Sequence, residues 1–312
     1  MKTGLLLPAW SYAAEGATLS TRALLGFAEQ AVNAGFDSLW VSDHFLNEPY
    51  LDYVAMNMQF PDEYRGVKSG QWECWSLMAA LAARTTEVTL GTLVTNTAFR
   101  NPALLARIID TVDDISGGRL VVGLGAGDFA TEHRAFGFDF ERPIARFEEA
   151  LSVIRPLLRG ETLTHQGEFY RTEGACLMPK SVRAAGPPIM IGLLRGGPRM
   201  LRLVAQYADQ WNCMLPFSDS RVASYIAAWA QVSAACEKQG RDPATLARNV
   251  TVGVSLNGSY PLPGALPLHG SRQQLIDACL AYREQGVETL SMVVEPCTRA
   301  SLEAIAPVLS AL

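Results

Sequence analysis

Residues 102–124 read PALLARIIDTVDDISGGRLVVGL, and this stretch contains one helix followed by one strand. Pro102 is typical of the first position of a helix, and Gly117-Gly118 stops that helix. The run 120–124 is almost entirely apolar, which is typical of a strand covered on both faces. A helix joined by a short turn to a buried strand indicates an α/β fold with a parallel sheet.

The same alternation of short apolar runs and amphipathic helices extends in both directions. Strands are predicted at 2–7, 38–41, 88–94, 120–124, 189–191, 210–213, 249–256 and 289–294. Helices are predicted at 19–34, 74–84, 102–116, 143–158, 198–207, 222–238, 272–285 and 302–312. Such units over ~250 residues plus insertions favour a (β/α)8 TIM barrel over an open doubly wound sheet. We find no linker, so a single domain over residues 1–312 is expected.

Two connections exceed the ~2–6 residues that are usual in such folds. Residues 160–188, before the fifth strand, are rich in Gly and Pro and lack a helical period. Residues 45–72 follow the second strand, at the rim where barrel enzymes build active sites. That segment is suited to cover a flat aromatic ligand, or else packs on itself, through Tyr50, Tyr53, Met56, Met58, Phe60 and Tyr64.

Composition excludes several classes of function. Of the 312 residues, 49% are hydrophobic and 18% charged, which rules out disorder driven by charge. The net charge of −5, without a basic run, argues against nucleic acid as a partner. No apolar run reaches the ~20 residues of a membrane helix, and the first residues do not resemble a signal peptide. Six dispersed cysteines without CxxC pairs predict reduced, mostly buried thiols in a cytoplasmic protein and no metal site.

Candidate catalytic residues follow the second predicted strand. His44 is the one histidine placed directly after a barrel strand, and an imidazole titrates near neutrality, so it is a candidate general acid or base. Asp43 is a candidate for orienting it and for fixing its tautomer. The alternative for this pair is a structural hydrogen-bonding role.

Further candidates end the third and fourth strands, at the same rim of the barrel. The third strand supplies small, apolar and polar side chains, namely Thr92, Leu93, Val94 and Asn96. The fourth is followed by glycines that allow close approach of a ligand, in the run Gly125, Ala126, Gly127 and Asp128. This run is not a dinucleotide fingerprint, because it lies in the fourth unit and lacks a ribose-binding acid. The alternatives are a tight turn for the glycines, and a proton donor or a helix cap for Asp128.

A candidate phosphate site follows the fifth strand. Gly192, Gly196 and Gly197 precede a helix, and Arg195 adds a positive charge beside their amide groups. No lysine of the Walker type is present, so nucleoside triphosphate hydrolysis is not expected.

Several of these stretches together resemble the bacterial-luciferase-like family of flavin- and deazaflavin-dependent oxidoreductases. In the family's order they are residues 34–45, 90–94 with 100–102, 117–127, 133–137, 188–192 and 208–212. The resemblance implies a (β/α)8 barrel, usually dimeric, with the cofactor at the carboxyl-terminal rim. Asp43-His44-Phe45 looks like the branch that uses the deazaflavin coenzyme F420, in which the corresponding Asp and His lie beside the cofactor ring. The resemblance also implies a cis peptide at Leu93-Val94.

The resemblance further implies three alternatives for function. The first is hydride transfer between coenzyme F420 and a small organic substrate, with His44 exchanging the substrate proton and Asp128 assisting. Asp128 stands where sugar-phosphate dehydrogenases of this branch have Glu, so that reaction is not implied. The second is an FMN-dependent monooxygenase served by a separate reductase. The third is a flavin-binding barrel without turnover.

Overall fold

The computed structural model describes residues 1–9, 20–55, 60, 62–193, 196–216, 218–262 and 264–312. The strands are β1 (Lys2–Leu6), β2 (Ser38–Val41), β3 (Leu46–Asn47), β4 (Ser69–Gly70), β5 (Thr89–Thr92), β6 (Thr95–Asn96), β7 (Leu120–Gly125), β8 (Leu163–Gln166), β9 (Arg171–Ala175), β10 (Ile189–Leu193), β11 (Gln210–Met214), β12 (Ala247–Ser255) and β13 (Thr289–Glu295). The helices are α1 (Thr21–Asn33), α2 (Pro49–Ala55), α3 (Cys74–Arg84), α4 (Pro102–Ile115), α5 (Ala130–Phe136), α6 (Pro143–Leu158), α7 (Pro198–Tyr207), α8 (Val222–Lys238), α9 (Arg272–Glu284) and α10 (Arg299–Leu309).

A closed parallel barrel confirms the predicted fold. Its strands follow the order β1-β2-β5-β7-β10-β11-β12-β13, and β13 pairs with β1 to close the ring. Alternate residues of each strand face the helices or the barrel axis. On β12 and β13 the outward residues Val250, Val252, Leu290 and Met292 are buried in the main hydrophobic core.

The interior of the barrel is built around Trp40 of β2, which is 1% exposed. Its indole Nε1 donates a hydrogen bond to Ser38 Oγ at 3.0 Å. A Cβ on Gly4 would lie 2.4 Å from Trp40 Nε1, and a Cβ on Gly91 would lie 2.2 Å from Trp40 Cζ3. These two glycines of β1 and β5 therefore make room for the indole, and Leu93, packed with it in one cluster, continues the interior toward the rim.

Local signals predicted most elements well and some poorly. Helices α3, α6, α7 and α8 have the predicted bounds, whereas α10 begins at Arg299 rather than 302, because Thr298 caps it by accepting from Ser301 N. Residues 160–188 contain the antiparallel pair β8–β9, which the Gly- and Pro-rich composition concealed. Helix α5 was not predicted, since its seven residues are too few to show a period.

Two further expectations, on membrane helices and on cysteines, can be compared with the described residues. No helix among them is long and apolar enough to cross a membrane. All six cysteines are free, and every one except Cys176 is buried, which confirms the prediction of mostly buried thiols.

Candidate active site

A cavity of about 250 Å³ opens at the carboxyl ends of the barrel strands. Its walls come from the ends of β1, β2, β7, β10, β11 and β13 and from the loops that follow the first strands of the ring. The lining residues are Leu6, Ser42, Asp43, His44, Tyr53, Leu93, Val94, Asn96, Gly125, Ala126, Gly127, Asp128, Phe129, Ile144, Gly192, Leu193, Met200, Met214 and Val293. Most of these side chains are apolar. The polar ones all lie between residues 42 and 128, on the side of the ring that runs from β2 to β7.

His44 is held at this wall by a residue of the fourth unit. Its Nδ1 lies 2.8 Å from Oε1 of Glu132, which is fully buried on α5. The other carboxylate oxygen, Oε2, accepts the backbone N–H groups of Phe45, at 2.9 Å, and of Leu46, at 3.5 Å. Phe129 stacks on the imidazole with ring centroids 4.6 Å apart. The orientation of His44 is therefore fixed by one carboxylate and one aromatic ring.

The charges around His44 decide its protonation. Burial by itself lowers the pKa of His44, but the hydrogen bond to Glu132 and the neighbouring carboxylates, Asp128 first among them, raise that pKa to about 9. The imidazole therefore carries a proton at neutral pH. Burial raises the pKa of Asp128, and the positive charge of His44 opposes that rise.

Asp43 has a different set of partners from the one expected. Its carboxylate is completely buried and forms two hydrogen bonds with Arg100, at 2.7 and 3.1 Å, and accepts the backbone N–H of Asn96 at 3.1 Å. Arg100 also binds Glu73, the residue that caps α3. The expectation that Asp43 fixes the tautomer of His44 is wrong, because Glu132 binds Nδ1 of His44 while the carboxylate of Asp43 is turned to Arg100 and Asn96.

Asn96 is likewise fixed on both sides of its amide group. Its Oδ1 accepts the N–H of Ala98 at 3.0 Å, and its Nδ2 lies 2.9 Å from Nε2 of His133. The Nδ1 of His133 donates to the carbonyl of Asp139 at 3.0 Å, which leaves Nε2 as the acceptor. The side chain of Asn96 therefore reaches the cavity wall in one defined orientation.

The position of the Val94 side chain explains why two residues of the cavity wall are glycines. The Leu93-Val94 peptide is cis, as the resemblance implied. A Cβ added to Gly125 would lie 2.7 Å from Val94 Cγ2, and one added to Gly192 would lie 3.0 Å from Val94 Cγ1. These glycines thus admit a side chain of the protein into the mouth of the barrel. Gly127 has a positive φ of 85°, and its own added Cβ would lie 2.6 Å from Asn96 Nδ2.

Three of the predicted site residues, Thr92, Gly196 and Gly197, do not line the cavity. Thr92 is buried behind its wall, where Oγ1 donates to the carbonyl of Gly123 at 2.8 Å. Gly196 and Gly197 precede α7 and, within the described ranges, are not part of the lining. Arg195 lies outside the described residues, as do Met56 and Met58 of the 45–72 segment.

In the 45–72 segment Tyr53 lines the cavity and stacks on Phe60, with ring centroids 5.0 Å apart, so the segment both covers the site and packs on itself.

Glu132 and Arg100 are the site residues that sequence reasoning missed. Each is the charged partner of a residue that had been predicted, and each lies far from that partner along the chain, by 88 residues for Glu132 and His44. The available signal was weak, namely a single acidic residue within residues 129–136. The donor atoms of His44, Asp128 and Glu132 lie within 4.8 Å of one another and could together hold a cation. The hydrogen bond between His44 and Glu132 already accounts for the closeness of these two residues.

Comparison with known proteins identifies the family of this chain. The family model described as luciferase-like monooxygenase matches residues 1–259. The chain therefore belongs to the luciferase-like monooxygenase family.

Two individual relatives can be compared with this chain. A 5,10-methylenetetrahydromethanopterin reductase from Methanolobus tindarius is 31% identical over 217 residues, which cover 70% of this chain and 56% of that protein. A phthiodiolone/phenolphthiodiolone dimycocerosates ketoreductase from Mycobacterium kansasii is 32% identical over 234 residues, covering 72% of this chain and 60% of that protein. The chain spans about half to three fifths of the length of these relatives.

One solved structure illustrates the shared fold. The coenzyme F420-dependent tetrahydromethanopterin reductase from Methanopyrus kandleri superposes with a TM-score of 0.74 at 18% identity, over 98% of this chain and 97% of that one. At this identity the similarity concerns the barrel fold.

Proposed function

We propose that this chain transfers a hydride between coenzyme F420 and a small organic substrate at the barrel mouth. The observation that carries the proposal is the His44 imidazole, held by the buried carboxylate of Glu132 at the wall of an otherwise apolar cavity. Such a wall excludes water, and such an imidazole exchanges protons with a bound substrate.

The residues present fit the coenzyme. Leu93 and Val94 offer an apolar surface for a flat ring, and Gly125 and Gly127 make room for the side chains of Val94 and Asn96 at this wall. Gly196, Gly197 and Arg195 remain our proposed phosphate anchor, with Gly197 as the N-cap residue of α7. When bound there, coenzyme F420 supplies or accepts the hydride, while the protein provides orientation and charge.

The protein side of the reaction is a proton transfer. Glu132 holds Nδ1 of His44, so Nε2 is the nitrogen that passes its proton to the oxygen of a carbonyl substrate as the carbon receives hydride. The raised pKa keeps His44 protonated at neutral pH, which is the form that donates a proton during reduction of a carbonyl substrate. Asp128 would assist at the same wall. We assign Asp43 to positioning, since it joins the end of β2 to Arg100 and Asn96.

The second candidate is an FMN-dependent monooxygenase, and the observation that favours it is the description of the matching family model. A flavin-binding barrel without turnover is the third and is the least supported, because it gives the His44–Glu132 pair no role. A homodimer, a separate cofactor reductase for the second candidate and a cytoplasmic location complete the proposal.

Equilibrium titration separates these functions. Trp40 packs against Leu93 at the base of the cavity, so its fluorescence is expected to report a ring bound there. We expect F420 to bind at least tenfold more tightly than FMN, and the bound coenzyme to exchange hydride with a small alcohol or ketone. Tighter binding of FMN, with oxygen consumption when it is reduced, would favour the monooxygenase. Binding without either reaction would favour the flavin-binding barrel, and no binding of either cofactor would contradict all three candidates.

A further inference from the structure

The inward-facing residues of β13 lead from the barrel interior to the rim. Ser291 lies in the interior, where its Oγ donates to Asn249 Oδ1 at 3.1 Å. Val293, two residues on, lines the cavity. Because side chains alternate along a strand, Glu295 follows on the same face, one step closer to the rim. Glu295 is not itself a lining residue, so its carboxylate adjoins the cavity on the side formed by β12 and β13.

Tyr260 occupies the neighbouring part of this rim. Gly253 of β12 is in register with Val293, and a Cβ added to it would lie 2.5 Å from the hydroxyl oxygen of Tyr260. The phenol thus lies across β12, where Gly253 leaves it room. Ser255 and Glu295 form the next inward-facing register pair, so Tyr260 lies at the end of the barrel that carries Glu295. Burial raises the pKa of Tyr260, and the charge of Glu295 adds to that rise.

The carboxylate of Glu295 has no partner within the described part of the chain. No hydrogen bond or ion pair to its side chain is formed there, although Glu73, Asp43 and Glu132 in the same barrel rim each have one. Burial raises the pKa of Glu295 to about 7, and no neighbouring cation opposes that rise. Because the side chain is only half-buried, its carboxylate is accessible to a ligand that brings a hydrogen-bond donor.

We propose that Glu295, with the Tyr260 hydroxyl beside it, forms a substrate-recognition subsite for a cationic amine. The subsite would bind the end of the substrate remote from the carbon that reacts near His44. An amine is favoured over a neutral group because a carboxylate gains most from a donor that also brings the missing positive charge. This inference rests on the proposed function, since it names the substrate class for that same cavity.

Two isosteric alcohols test the proposal without knowledge of the natural substrate. 1-Amino-2-propanol and 2-butanol differ by an ammonium in place of a methyl group, and ligand-observed NMR measures the weak dissociation constants of both. We expect the wild-type protein to bind the amino alcohol at least tenfold more tightly, as a charged hydrogen bond of ~1.5–3 kcal/mol implies. Glu295→Gln should reduce this preference to less than threefold, and Tyr260→Phe should reduce it in part.

The control is Glu288→Gln, because Glu288 is exposed and precedes the same strand at the opposite end of the barrel. It should keep the wild-type preference. Equal binding of the two alcohols by the wild type, undetectable binding of both, or a preference that survives in Glu295→Gln would overturn the proposal. If Glu295→Gln fails to fold, Tyr260→Phe decides by the same criterion.

Hydride transfer is scored separately in the same samples. An amine preference without reduction of coenzyme F420 by either alcohol would contradict the proposed function alone. Turnover of both alcohols without an amine preference would contradict this subsite alone.

Discussion

The two sides of the barrel mouth differ in how their charges are satisfied. On the side formed by β2, β5, β7 and α5, which we term the paired side, His44 is bound to Glu132 and Asp43 to Arg100. On the side formed by β10 to β13, which we term the open side, the walls are apolar and the carboxylate of Glu295 has no partner among the described residues. A fixed set of charges suits a proton transfer common to many substrates, whereas an unpaired group suits recognition of one substrate.

The largest effect is expected from the paired side, on the chemical step. His44→Ala should lower turnover by ~10²–10⁴-fold and leave the dissociation constant of coenzyme F420 nearly unchanged, because a positioned acid or base contributes about this much. Single-turnover hydride transfer at saturating coenzyme measures the step directly. His165→Ala is the matched control, since His165 lies on the outer β8–β9 hairpin and pairs with Glu149 of α6. A normal rate combined with weaker coenzyme binding would assign His44 to packing instead.

The next effect concerns stability on the same side. Arg100→Ala leaves the buried carboxylate of Asp43 without its partner and should lower the free energy of unfolding by about 3–5 kcal/mol. Urea unfolding measures the change. Arg299→Ala, which removes an exposed pair with Glu303, is the control and should change stability by less than ~1 kcal/mol. Equal effects of the two variants would show that the buried pair is dispensable.

A third test addresses the bond between His44 and Glu132. Glu132→Gln removes the charge and should lower the pKa of His44 from about 9 toward the ordinary 6.5. The chain has four histidines, so NMR titration of labelled imidazoles is tractable, with His44→Ala identifying the signal. Because the pKa of His44 is raised in the folded state, the protonated imidazole stabilises the folded protein. This contribution to the free energy of unfolding is complete below pH ~6.5 and is lost as pH rises through about 9. A melting temperature with the same pH dependence in wild type and variant would contradict the assignment.

The smallest effect is expected from the loop before α7, next to the open side. Arg195→Ala should weaken coenzyme binding by roughly one to two decades, the equivalent of a charged hydrogen bond of ~1.5–3 kcal/mol, and should spare the rate at saturation. Fluorescence titration at low salt is the measurement. Arg199→Ala is the control, since Glu148 binds Arg199 on the surface of the barrel. Unchanged affinity in Arg195→Ala would place the phosphate anchor elsewhere.

Local patterns along the chain were sufficient for the order of helices and strands and for the rim on which the site is built. The apolar run of β7, the stop at Gly117-Gly118 and the position of His44 after β2 are all readable over a few residues, because periodicity and chain breakers act locally. These signals predicted the barrel, and they placed His44, Val94 and Asp128 at its carboxyl-terminal end.

Only the closed barrel decided which of those residues act together. Glu132 reaches His44, and Arg100 reaches Asp43, because adjacent units bring the ends of their strands and loops to one rim. Val94 enters the interior between glycines of β7 and β10, and Tyr260 lies against Gly253 of β12, whose neighbour β13 carries Glu295. Pairing of this kind depends on distances in space between residues that are far apart in sequence, so no local pattern of residue types contains it.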